Sequence, residues 1–233
     1  MFDKRSDEPE RIDTGDYTPE EYATFLREIA FINRYLGDGR ALKKSLLNEI
    51  EYNDLGEFSV LDVGCGSGEL LRMIAEFAHK TDRRPSLTGL DLNPISSETT
   101  RTESKNFPEI ASIQGNAFQL PFADGSFDYS ISSLFFHHLT DDQIVITLKE
   151  MSRVARRGIC VIDLHRDPVA YAGYKIFCSA FRISPLVRED GSLSIKKGFR
   201  RTELSSIARS VGIQGVREQQ IAPGRIVLKA RIR

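Results

Sequence analysis

The segment Asp62-Val63-Gly64-Cys65-Gly66-Ser67-Gly68-Glu69 carries the strongest chemical signal in the chain. An apolar run ends in three alternate glycines, and helical spacing begins directly after them. Glycines at such a turn let the backbone bend sharply and let a ligand approach it closely. The helix start behind them offers N–H groups that have no partner inside the helix. Asp91 stands 23 residues after Gly68 and ends the next apolar run. An acid there is placed to accept hydrogen bonds from a ribose diol. Two kinds of nucleoside cofactor are compatible with this pattern. A nicotinamide dinucleotide prefers G-x-G-x-x-G, which leaves room for a pyrophosphate, but Glu69 stands where the third glycine would come. Asp62, two residues before the first glycine, suits a cationic ligand better than an anionic one. The bland alternative is a tight strand-to-helix turn with no ligand.

The second group is the histidines, whose ordinary pKa near neutrality suits them to proton transfer. His137, His138 and His165 closely follow the fourth and fifth apolar runs, and His79 ends a helix as a solvated residue. His165, which starts the segment beyond the fifth strand, is the first candidate for a base that takes the acceptor's proton; His137 and His138 are the other candidates, weighed against packing and helix capping. Cys65, Cys160 and Cys178 are too few and too scattered for a disulfide framework or a zinc cluster. They predict no metal site, and a reducing, cytoplasmic setting. Cys65 is a small filler within the glycine loop and not a nucleophile.

These side chains need a sheet to hold them. From residue 58 short apolar runs alternate with helical stretches, the pattern of a doubly wound parallel sheet with crossover helices. Strands are expected at Ser59–Val63, Ser86–Asp91, Ser112–Gln114, Phe127–Ser132 and Ile159–Leu164. A last pair, Ile213–Gln220 and Arg225–Ile232, flanks Pro223-Gly224 as an antiparallel hairpin. Helices are expected at Glu69–His79, Ile95–Asn106, Asp141–Ala155 and Thr202–Val211. Upstream, Thr18-Pro19-Glu20-Glu21 starts one helix, and a second runs from about Arg40 to Tyr52. The domain reading is a flexible charged leader (1–16), an N-terminal helical lid (17–57) and an α/β domain (58–233). An irregular cap insertion (165–200) interrupts the last, and its Tyr171, Tyr174, Ile176, Phe177, Phe181, Ile183, Leu186 and Val187 are candidates for an apolar pocket.

The whole chain of 233 residues fits one sizeable domain. Its 32 basic and 33 acidic residues exclude nucleic-acid binding driven by bulk charge. No apolar run is long enough for a membrane span, and the charged start lacks the apolar centre of a signal peptide. Arg182–Arg209 is locally basic, which suits an acidic substrate group, RNA phosphates or simply a solvated face.

Taken in order, Asp62–Gly68, Asp91, Gly115-Asn116-Ala117-Phe118-Gln119-Leu120-Pro121-Phe122, Phe127-Asp128-Tyr129, His137-His138-Leu139 and Glu150–Val154 resemble the motifs of class I S-adenosylmethionine-dependent methyltransferases. They cover about residues 58–164. The resemblance implies a mostly parallel seven-stranded Rossmann-like sheet and S-adenosylmethionine as cofactor. It implies that Asp62, Gly64, Cys65 and Gly66 border the methionine end, with Ser133 at the end of the fourth strand. Asp91 would hold the ribose and Leu92 the adenine face. Asn116 and Ala117 would meet the adenine edge, with Phe118 lining its pocket. The family usually has Asp where Asn116 stands, and Ala155–Gly158 replaces a frequent Pro-Gly turn. Arg34 is a candidate for the methionine carboxylate, weighed against a solvated helix-end arginine. Ile32–Gly37, Leu164-His165-Arg166 and Ser184–Arg188 to Lys197-Gly198-Phe199 resemble a bacterial subgroup associated with type III polyketide synthases and secondary metabolism. The implied reaction is methylation of a small, fairly apolar, aromatic or polyketide-like metabolite, at oxygen before carbon. The alternatives are RNA or protein methylation and a non-catalytic cofactor-binding module; no nucleic-acid partner is expected.

Overall fold

The computed structural model describes residues 2–232, except for the side chain of Arg34. Strands β1 (Glu57–Val63), β2 (Arg84–Asp91), β3 (Ile110–Gln114), β4 (Phe127–Ser133), β5 (Ala155–Leu164), β6 (Arg217–Ile221) and β7 (Arg225–Arg231) form one sheet in the order 3-2-1-4-5-7-6. The first five are parallel, and β7 runs antiparallel to both β5 and β6. The expected doubly wound sheet and reversed final hairpin are therefore present. β6 starts later than its apolar residues suggest, because Gly212 and Gly215 both adopt positive φ and turn the chain first.

Side chains alternate across the sheet and build a core on each face. Leu61 and Val63 of β1 join Ile144, Leu148 and Met151 of helix α7 (Asp141–Val154) and Leu204 of α10 (Glu203–Ser210) on one face. Phe58 and Val60 join Leu71, Ile74 and Ala75 of α5 (Glu69–Lys80) on the other. Helix starts follow local chemistry. Thr140 and Gln143 form a capping box at α7, and Asn93 accepts the Ile95 N–H at α6 (Pro94–Glu103). Helix α2 (Pro19–Tyr35) begins on the Thr18/Glu21 capping box. The run expected as one helix at 40–52 divides into α3 (Asp38–Leu42), a π-helical turn (Lys43–Leu47) and α4 (Asn48–Tyr52). The buried Ser45 hydroxyl donates to the Ala41 carbonyl at 2.6 Å, a back-bond that competes with regular helical pairing.

Two expectations need correction. The cap insertion is not irregular: it holds α8 (Pro168–Ala180) and α9 (Pro185–Lys197), each opened by proline at its first turn. Asp167 caps α8 by accepting from the Val169 and Ala170 N–H groups. Their buried residues Tyr174, Cys178, Ile183, Val187 and Ile195 pack with Ile32 of α2 as a third core. The leader is not loose either. It contains helix α1 (Arg11–Thr14), whose Arg11 and Ile12 N–H groups donate to Asp190 of α9. Arg5 donates to the Leu139 carbonyl at 2.8 Å and stacks on Phe199. Charge that implied solvation is spent on contacts across the molecule. Part of the basic stretch is neutralised the same way, Lys197 by Glu10 and Asp13 and Arg200 by Asp3. Among the described residues no helix is long and apolar enough to cross a membrane.

Candidate functional site

The carboxyl ends of β1, β2, β4 and β5 open into one large cavity of about 2090 Å³, roofed by α2, α8 and the leader. It lies where the strand order reverses between β1 and β4, the usual ligand crevice of open α/β sheets. Gly66 adopts a φ of +54°, and a side chain there would point into open space. The loop thus presents bare backbone to the cavity. Asp91 at the end of β2 ties it down, accepting from the Gly66 N–H and the Asn93 N–H, each at 2.9 Å.

Asp62 is the feature that asks for a ligand. Its side chain is buried, it lines the cavity, and its Oδ1 has no hydrogen-bond partner. Burial, with the Asp91 carboxylate nearby, pushes its pKa up to about 7. Burial raises Asp91 too, but two N–H groups oppose the shift there. An unpartnered buried carboxylate is costly, and a cationic group entering the cavity would relieve it. The buried Ser133 Oγ, at the end of β4, also has no partner and also lines the cavity. These orphan atoms and the bare Gly66 backbone fit the methionine end of S-adenosylmethionine.

The remaining expected contacts fall beside them. Leu92 is 69% exposed at the cavity, as a residue awaiting a flat ring would be. Asn116, Ala117 and Phe118 line the same end. The Asn116 carbonyl oxygen already accepts the Phe118 N–H at 2.8 Å, so one lone pair remains for a ligand. The Cys65 thiol lies 3.7 Å from Thr100 Oγ1 and fills space beneath Gly89, as a filler would. Arg34's side chain lies outside the described residues.

The histidines separate into three environments. His137 is buried on a single 3₁₀ turn (Phe136–His138), with Nδ1 2.7 Å from Asp163 Oδ1. Burial would raise the Asp163 carboxyl, but the His137 ring and the Leu164 N–H hold it below its ordinary value. His137 lines the cavity beyond the glycine loop. His138 also lines the cavity and meets the leader, with Nδ1 2.8 Å from Asp13 and 3.7 Å from Glu10. Burial alone would lower its pKa; the two carboxylates more than offset that and raise it. His165 is half-buried and lines the cavity too, and the Gln220 amide of the outer strand β6 donates to its Nε2 at 2.8 Å. His79 pairs with Glu109 at 2.7 Å and does not line the cavity. Glu10, His137 and His138 bring possible ligand atoms within 4.8 Å of one another. The Lys197 ammonium, 3.3 Å from Glu10, already supplies a cation there.

A family model described as a methyltransferase domain matches residues 60–158. The demethylmenaquinone methyltransferase of Bacillus licheniformis is 31% identical over 117 residues, covering 50% of this chain and 48% of the relative. The chain thus spans about half the length of the curated relatives it matches. The solved structure of a SAM-dependent methyltransferase from Aquifex aeolicus superposes with a TM-score of 0.65 at 16% identity, covering 93% of this chain and all of that one. Human N-acetylserotonin methyltransferase in complex with SAM gives a TM-score of 0.65 at 18% identity, over 92% of this chain and 56% of that one. Residues 60–158 thus match a methyltransferase domain, and the chain shares the fold of solved S-adenosylmethionine-dependent methyltransferases.

Several cavity residues carry no motif. Tyr17 and Tyr22 stack with centroids 4.9 Å apart beside Asp91, and the Asn93 amide donates to the Tyr17 hydroxyl. Asp163 looks in sequence like an ordinary strand residue. Glu10, Asp13 and Lys197 meet only because the leader crosses to α9. The Thr18 capping box is the one local signal that pointed toward this roof. Of the expected cap residues, Tyr174 and Phe177 line the cavity, whereas Ile183, Leu186 and Val187 are buried in the cap. Ile176 and Phe181 face solvent and Tyr171 packs against the cap core, so two of the eight expected pocket residues line the cavity and the other six are corrected.

Proposed function

We propose that this methyltransferase transfers a methyl group from S-adenosylmethionine to a hydroxyl of a small, fairly apolar aromatic metabolite. The observation that carries the reading is the His137–Asp163 pair at an apolar chamber next to the orphan Asp62 carboxylate. S-adenosylmethionine supplies an electrophilic methyl on a sulfonium sulfur. Asp62 would accept hydrogen bonds from the cofactor's ammonium group, and Asp91 would accept from the ribose hydroxyls with the lone pairs its two N–H bonds leave free. Leu92 and Phe118 would cover the adenine, with Asn116 and Ala117 at its edge. Alignment of acceptor and methyl accounts for roughly 7–11 kcal/mol of such a barrier.

Asp163 takes the His137 Nδ1 proton as its hydrogen-bond partner, which leaves the Nε2 lone pair to accept a proton from the acceptor hydroxyl. The Asp163 carboxylate then stabilises the imidazolium, the usual division of labour in a carboxylate–histidine pair. Such a base is worth about 10²–10⁴-fold. The apolar lining from α2 and α8 (Phe25, Ile29, Tyr174, Phe177) supports an apolar acceptor.

A ring carbon is the second reading. The relatives named demethylmenaquinone methyltransferases favour it, since a deprotonated quinol-type ring is nucleophilic at carbon as well as oxygen. Incubating the chain with methyl-labelled cofactor and a panel of phenols and quinols tests both. Labelled ethers support the first reading, and acid-stable ring-methylated products the second. Labelling of RNA or protein alone overturns both.

A further inference from the structure

Helix α8 does two things at once. Its inner face packs Tyr174 and Cys178 into the cap core and lines the cavity with Ala170, Gly173 and Phe177. Its outer face lacks the charges that a solvated helix normally carries. The exposed positions from Val169 to Phe181 are apolar or small, with Lys175 as the one charge. Val169 is 79% exposed, Ile176 70% and Phe181 55%. Helix α7, by contrast, shows Asp141, Asp142 and Lys149 to solvent.

The neighbouring end of α2 extends this face. Phe31 lies 5.5 Å from Phe181 and 6.0 Å from Phe177, and Tyr35 lies 5.0 Å from Phe31, centroid to centroid. Five of the eight exposed large apolar side chains among the described residues lie on this one surface. Contiguous apolar area of this kind marks an interaction site. Its exposed charges are of one sign: Arg27, Lys175 and Arg182 are exposed at its edge, while the flanking acids Glu28 and Asp167 are half-buried and held by the Ser184 N–H and hydroxyl and by the first N–H groups of α8.

We propose that the outer face of α8, with the end of α2, docks on the surface of an anionic lipid bilayer. The charge pattern selects this occupant. A helix with an apolar face and basic flanks lies in the interfacial plane of a membrane, and each basic residue near an anionic surface strengthens binding about fivefold. A second copy of the chain meeting this face across a two-fold axis would set basic residues against basic residues. The docked face adjoins the cavity, since Val169 is both exposed and on the cavity wall. An apolar acceptor dissolved in the bilayer would thus reach the chamber directly, a consequence that rests on the function proposed above.

Sedimentation of the full chain with vesicles tests the docking. Vesicles containing phosphatidylglycerol should carry the protein down, vesicles of phosphatidylcholine alone much less, and added salt should release it. Lys175→Glu should weaken binding at least fivefold. Ile176→Ser with Phe181→Ser should weaken it roughly tenfold or more. Both variants should keep S-adenosylhomocysteine binding, which shows that they are folded. Failure of the wild-type chain to sediment, or unchanged binding by both folded variants, overturns the proposal. So does a concentration-dependent dimer that Ile176→Ser abolishes, because the face then belongs to a second copy. Absence of S-adenosylhomocysteine binding in the wild type would instead overturn the proposed function and leave the vesicle result to stand on its own.

Discussion

His137 Nδ1 lies 2.7 Å from Asp163 Oδ1, across the ends of two adjacent parallel strands. The same carboxylate also accepts the His137 backbone N–H through Oδ2 at 3.2 Å. Ring and backbone are thus held by one buried group, which fixes both the tautomer and the direction of Nε2. His165, two residues beyond Asp163, has its Nε2 engaged by Gln220 and cannot offer the same lone pair.

His137→Ala should therefore lower kcat by about 10²–10⁴-fold while cofactor affinity stays within a fewfold. Asp163→Asn should lower kcat in the same direction. The loss should shrink at high pH, where a phenolic acceptor ionises unaided. His165→Ala should cost far less. A steady-state comparison across pH with one phenolic acceptor decides it, and equal losses for His137 and His165 would count against the assignment.

The orphan Asp62 carboxylate makes cofactor affinity pH-dependent. Its pKa in the folded chain is pushed up to about 7, so below that value it is neutral and a poor partner for an ammonium group. S-adenosylhomocysteine binding should tighten as pH rises through this range. A raised acid pKa also destabilises the apo fold once pH exceeds the unfolded value. Asp62→Asn should then raise the apo melting temperature at about pH 8, flatten the pH dependence and weaken cofactor binding. Calorimetry and thermal melts of the same two proteins read all three.

Asp91→Ala should weaken cofactor binding by about 1–3 kcal/mol, because ribose hydroxyls lose a charged acceptor and the Gly66 and Asn93 N–H groups lose theirs. Gly66→Val should also block binding, since the open space at that position is the cavity itself. An unchanged dissociation constant in either variant would remove that residue from the site. NAD should not bind the wild-type chain in the same titration.

The leader should release as pH rises. His138 has its pKa raised by Glu10 and Asp13 against the effect of burial. Its contribution is fully present below the unfolded value of about 6.5 and is lost as pH rises through the higher folded value. Asp13 is shifted the other way: burial opposes it, but His138 and Lys197 hold it well below the usual range. Its contribution is present above the unfolded value and is lost as pH falls through the folded one. Leader cleavage by a protease should therefore be slow near pH 6 and faster near about pH 9, and Asp13→Asn should abolish most of the difference.

The sheet, the glycine loop and Asp91 are legible in the residue order because each depends on near neighbours. Val60–Val63 and Leu87–Leu90 are apolar runs whose length and flanking turns suffice for a buried strand, and a glycine loop between strand and helix is a local pattern. Helices α8 and α9 have ordinary starts in Asp167-Pro168 and Ser184-Pro185, and Tyr171, Tyr174 and Cys178 keep helical spacing toward the cap core, but the apolar residues Val169, Ile176 and Phe181 on the outer face mask that period. The contacts of Asp163 with His137, of Lys197 with Glu10, and of Asp190 with the Arg11 and Ile12 N–H groups join residues 26 to 187 positions apart. Burial and pairing of that kind arise only when separate elements are packed, because desolvation and hydrogen-bond geometry depend on distance in space and not along the chain. For the same reason, the outward turn of Ile176 and Phe181 and the orphaned Oδ1 of Asp62 follow from the folded arrangement alone.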